Sequence, residues 1–89
     1  MDEDEKNEVE FHLHRLAIRE IDTRSEGSPF VDLLISWFLH ISQPQKAIDL
    51  HDLQLKAMRG VHVSSARDSF LKARGMLLSA HHTSQRLQF

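Results

Sequence analysis

The sequence predicts an all-α domain, a small bundle of three to four helices, and three observations carry that prediction. Apolar residues recur three and four positions apart through most of the chain. Both prolines stand where a helix starts, and only three glycines interrupt the 89 residues. A composition of 40% hydrophobic and 27% charged residues belongs to a folded globule. One domain of this size has a thin core, and oligomerisation or a partner often supplies the missing stability.

Residues 1–7, "MDEDEKN", read as an acidic, flexible lead-in to a single helical domain over 8–89. The next stretch, "EVEFHLHRLAIREID" (8–22), carries two periods at once. Val9, Phe11 and Leu13 alternate with polar residues as in a half-buried strand, whereas Val9, Leu13, Leu16, Ala17 and Ile21 share a helical face. The alternation breaks at Arg15 and no turn residue intervenes, so a helix over about 8–23 is preferred. Phe11 and Ile18, seven apart, then lie off the main stripe, as on a helix that touches something on both sides.

Gly27, Ser28 and Pro29 punctuate the chain. Ser28 is suited to cap a helix with Pro29 at its first position, opening a helix of about 29–42. This segment is apolar nearly all round and is expected to be the central element. Pro44 follows its end, and a third helix over about 45–58 would bury Ala47, Leu50, Leu53 and Ala57. After a turn at "RGVHVSS" (59–65), Val63, Ala66, Phe70, Ala73, Leu77 and Ala80 fall at spacings 3, 4, 3, 4, 3. That is the pattern of a packed seam, predicting a helix over about 63–82, with Gly75 off the seam.

Charge is divided along the chain. Residues 1–43 hold ten acids against four Lys/Arg, and residues 44–89 hold seven Lys/Arg against three acids. Such a split suits head-to-tail stacking, a basic face for an acidic partner, or two halves that face each other in one fold. Seven histidines add a further property, since their full protonation moves the formal charge from −2 towards +5. Solubility or assembly is therefore expected to change between pH 7 and 5.

Chemistry is thinly represented. No cysteine is present, no two histidines are four apart, and no phosphate-cradling glycine loop occurs, so no metal, cofactor or small-molecule substrate is assigned. Ser64, Ser65, His62 and Asp68 hold the residue types of a hydrolase triad but share one short segment, which cannot form its geometry. The reading is therefore non-enzymatic. The N-terminus lacks the basic and apolar regions of a signal peptide. The most apolar run, "FVDLLISWFLHI", falls short of the roughly 20 residues needed to span a bilayer. The expectation is a cytoplasmic chain, or one exported without a cleaved signal.

Two interaction readings remain. In the first, the bundle works by protein–protein contact as an oligomer, adaptor, chaperone or assembly subunit. Its interface residues would be Phe11, Ile18, Leu71 and Leu78, the apolar positions left off the packed faces. In the second, "LHDLQLKAMRGVHVSSARDSFLKARGML" (50–77) is the helix-turn-helix of a small DNA-binding regulator. Ser64, Ser65, Arg67 and Lys72 would then face the major groove, with His81, His82 and Arg86 near the backbone. The two diverge at the C-terminus: helix through 76–82 favours the bundle, and a hairpin across 76–89 favours DNA.

Two stretches also carry a resemblance. "FVDLLISWFLHISQPQKA" resembles the first segment of the flagellar hook–basal-body adaptor and type III secretion inner-rod family, through Phe30, Leu34, Phe38, Ile41, Gln45 and Ala47. "DLHDLQLKA" (49–57) is similar to the start of that family's C-terminal half, which a long helix follows. The resemblance implies a helical subunit that polymerises by helix packing within a secretion apparatus.

Overall fold

A computed structural model describes residues 2–24 and 27–86, which form four α-helices and no strand. They are α1 (Glu3–Thr23), α2 (Pro29–His40), α3 (Pro44–Ala57) and α4 (Ser65–Arg86). The all-α bundle is as expected, and the ambiguous stretch 8–14 is helical.

α1 starts five residues before the expected position, so residues 3–7 are its first turns and not a flexible lead-in. The Asp2 carboxylate accepts a hydrogen bond from the Glu5 backbone N–H at 2.8 Å. Glu3, Asp4 and Glu5 place negative charge against the positive end of the helix dipole. The acidic run therefore caps the helix and complements its dipole. Ser28 caps α2 as expected: its hydroxyl accepts from the Phe30 N–H at 3.2 Å, with Pro29 in the first turn.

α2 stops at His40 through paired backbone bonds, from Gln43 N–H to the Phe38 carbonyl at 2.7 Å and from Ser42 N–H to the Leu39 carbonyl at 3.1 Å. That pairing requires a left-handed residue after the cap. Ser42 occupies it with φ 62°, where glycine would be unstrained.

The core comprises Ala17 and Ile21 from α1, Val31, Leu34, Ile35 and Phe38 from α2, Ala47 and Leu50 from α3, and Leu78 from α4. α2 supplies four of these nine residues, as its apolar run suggested, and α3 packs against all three other helices. α2 is only half enclosed: Leu33 is 68% exposed, while Phe38 on the opposite side is fully buried. The molecule is a slab of 42 × 31 × 16 Å.

Three expected burial patterns are corrected. On α1 the inward face carries Glu10, Ala17 and Ile21, and Val9 and Leu16 remain in solvent. Glu10 is buried with Lys46 of α3 donating to its Oε2 at 2.8 Å, a counterion for a charge that hydropathy places outside, while its Oε1 is buried without a hydrogen-bond partner. On α3, Leu53 is exposed, and His51 and Gln54 occupy the buried side instead. The third correction concerns α4.

Candidate interaction surface

Among the described helices, α4 packs its backbone against α3 alone. It begins where the Ser64 hydroxyl accepts from the Arg67 N–H at 3.2 Å, and it continues through Arg86. Its inward face carries Arg67, Leu71, Arg74 and Leu78, with Leu71 5%, Arg74 8% and Leu78 2% exposed. Leu71 and Leu78, expected at a partner interface, are thus part of this chain's own interior. The seam expected to be packed faces outward: Ala66, Phe70, Ala73, Leu77 and Ala80 are all exposed. The two faces of α4 have exchanged roles.

A polar cluster explains the exchange. Asp32 of α2 accepts from Arg67 at 2.7 and 3.1 Å and from Arg74 at 2.6 Å. Arg74 also donates through Nε to His51 Nδ1 at 2.9 Å and through its second terminal nitrogen to the Gln54 carbonyl oxygen. One carboxylate therefore holds two guanidinium groups against the core, so α4 docks with its arginines inward. Gly27 lies directly beneath Arg67, where a Cβ would stand 2.5 Å from the guanidinium. Gly75 lets α4 approach the His51 ring, since a Cβ there would sit 3.1 Å from Nε2.

Burial and neighbouring charges shift the titration of three groups. Burial holds His51 below its ordinary pKa, the Arg74 charge reinforces this and Asp52 opposes it. A neutral His51 with a free Nδ1 lone pair is what the Arg74 bond requires. Burial also lowers Arg74, with Asp32 acting in the other direction. His14 is lowered by burial too, and there Asp49 opposes and Lys46 reinforces.

The outward face of α4 is a continuous apolar strip. Phe70 is 44% and Leu77 57% exposed, alanines stand between and beyond them, and Met76, 74% exposed, lies between this strip and the groove beside α3. The Arg67 and Arg74 guanidiniums lie 5.2 and 5.4 Å from the Phe70 ring centroid, fixing the ring at the edge of the strip. On the other flank an open groove of about 1040 Å³ separates α3 from α4, lined by Ile48, His51, Met76, Leu78 and His82 among others.

The other expected site residues are scattered. Phe11 is 56% exposed on α1, with Arg15 over its ring at 5.8 Å. Ile18 is half-buried against the core and borders a cleft with Leu53 and Ala57. The proposed groove-reading residues are not brought together as a free set. Ser64 caps α4, Ser65 is exposed, Arg67 is engaged by Asp32, and Lys72 pairs with Asp68 at 3.0 Å. The Arg86 side chain lies outside the described residues, as do residues 87–89. Residues 76–86 are helical, so the hairpin foreseen for the DNA-binding arrangement does not form across them.

Among the described residues no three His, Asp or Glu side chains converge as metal ligands, and no helix is long and apolar enough to cross a membrane. Sequence reasoning missed Asp32, His51, Gln54 and Arg74. The available signal was Asp32 itself, a charge within an otherwise apolar helix, which calls for a buried cation nearby. No protein family matches the chain, and comparison with curated proteins and with solved structures returned no match.

Proposed function

We propose that the chain is a non-enzymatic protein–protein interaction module whose docking surface is the outer face of α4. The observation that carries this is the exposure of Phe70 and Leu77 in one strip with Ala66, Ala73 and Ala80, with Met76 exposed beside it, on a helix whose opposite face docks onto α3. A contiguous apolar strip on a small domain is the usual mark of a contact site, because it costs solvation free energy until covered. The polar cluster supports the same reading. Its arginines, Asp32, His51 and Gln54 are consumed in fixing the orientation of α4, which leaves the uncharged Ala66, Phe70, Ala73, Leu77 and Ala80 exposed.

Membership of a secretion apparatus is a finer version of this proposal and rests on the family resemblance of residues 30–47 and 49–57 alone. Regulation of DNA is the weaker reading, since Arg67 and Lys72 are already paired and residues 76–86 are helical. A photo-crosslinking residue at Leu77 in the full chain, expressed in cells, tests the proposal. Protein adducts from position 77 and none from Glu8, exposed on α1, are expected. Equal or absent adducts at both positions overturn it.

A further inference from the structure

We infer that the partner on α4 is a second copy of this chain, bound antiparallel through the Ala66, Phe70, Ala73, Leu77 and Ala80 seam. This deepens the interaction reading above and rests on it.

The inference follows from the order of residue sizes. In heptad terms the exposed strip alternates large and small: Phe70 and Leu77 take one set of core positions, and Ala66, Ala73 and Ala80 take the other. Two identical helices side by side in the same direction would stack Phe70 on Phe70 and Ala73 on Ala73, giving one crowded layer and one empty layer in turn. Reversing one helix sets each large side chain on an alanine of the other copy. Phe70 meets Ala80, Ala73 meets Leu77, and Ala66 meets Ser84, with the two-fold axis passing beside residue 75. The surface is therefore complementary to itself, as a two-fold interface requires. One alanine in every layer brings the helix axes to about 8 Å, the close end of helix packing.

Flanking chemistry agrees. No residue of the seam from Ala66 to Ser84 is charged. On one side Ser69, Met76 and Thr83 would face their counterparts, with Met76 crossing the axis onto Met76 of the other copy. On the other side Arg67 and Arg74 are bound to Asp32 within their own chain, which tempers their mutual repulsion.

Residues 66–84 overlap over about 28 Å. Covering that strip removes roughly 500–600 Å² from each copy, or about 1,000–1,200 Å² in all, at the lower edge of specific interfaces. The expected product is a reversible dimer with a dissociation constant in the range of about 1–100 μM.

Sedimentation equilibrium of the full chain from about 1 μM to about 1 mM should give a monomer–dimer equilibrium. Leu77→Glu should raise the dissociation constant by about 100-fold, because symmetry makes each substitution act twice. Its helical circular dichroism should be unchanged, since Leu77 is exposed. The absence of cysteine allows direct mapping of direction. Met76→Cys should be joined readily by a short bis-thiol crosslinker. Ser69→Cys places its two thiols about 18 Å apart along the axis and should not be joined. A monomer at every concentration, a dimer indifferent to Leu77→Glu, or equal crosslinking at both positions overturns the inference. If the chain is monomeric yet position 77 crosslinks to a different protein in cells, this inference falls and the interaction function stands.

Discussion

Asp32→Asn should release α4 from the bundle and is the most informative perturbation of the fold. Asp32 accepts three charge-assisted hydrogen bonds, two from Arg67 and one from Arg74. Arg74 is almost fully enclosed, so removing the carboxylate leaves its charge without a counterion in a poorly solvated place. Breaking such a buried pair from one side costs about 3–5 kcal/mol. Asp32 and Arg67 side chains are each 21% exposed, and water recovers part of this, so the expected loss is about 2–4 kcal/mol. A domain of this length has a total stability of about 5–10 kcal/mol, so the variant should be visibly frail, with its thermal midpoint lowered by about 10–20 °C. Urea unfolding followed by circular dichroism reads the change. The double variant Asp32→Leu with Arg74→Met should recover much of the loss suffered by Asp32→Leu alone, because it removes the stranded charge together with its partner. A loss below about 0.5 kcal/mol for Asp32→Asn would refute the account of how α4 is held.

Four further outcomes follow. Leu78→Ala, at a 2% exposed core position, should cost about 2–4 kcal/mol in the same unfolding assay, whereas an interface residue would cost the monomer almost nothing. Phe11→Asp should change monomer stability by less than about 0.5 kcal/mol, since the ring is more than half in solvent. Ser42→Gly should raise stability by about 0.5–1 kcal/mol by relieving the left-handed backbone at φ 62°, measured as a shift in urea midpoint. His51 and His14 have folded pKa values below the ordinary one, so the unfolded chain binds more protons under acid conditions. Stability should therefore hold above about pH 6.5 and decline as pH falls through the unfolded value, with His51→Gln flattening part of that slope.

Much of the fold was legible in local patterning. Ser28 with Pro29, Pro44, and the three–four spacing located α2, α3 and most of α4, because caps and periodicity are properties of neighbouring residues. The start of α1 was misplaced because an acidic run reads equally as solvated coil or as a first turn complementing the helix dipole. The orientation of α4 was not legible. Its 66–80 seam is more apolar than the 67–78 face, yet the latter is buried, because Asp32 holds Arg67 and Asp32, His51 and Gln54 hold Arg74, from residues 20 to 42 positions away. Periodicity finds stripes but does not say which stripe meets the core when a long-range ion pair decides it. Glu10 and Lys46, 36 residues apart, reproduce the lesson on α1. The interface expectation of Leu71 and Leu78 failed for the same reason, and it was the discarded stripe that turned out to be free.

The orientation of α4 underlies every functional statement above, and a cysteine scan along residues 66–80 tests it most directly in a chain that has no other thiol. Single cysteines are introduced in turn and their reaction with a bulky maleimide is timed at protein concentrations below about 0.1 μM, where a dimer of the expected affinity is largely dissociated. Fast labelling at positions 66, 70, 73, 77 and 80, with slow labelling at 71 and 78, is the outcome this orientation predicts. The opposite phase, with 71 and 78 fast and 70, 73 and 77 protected, would contradict it.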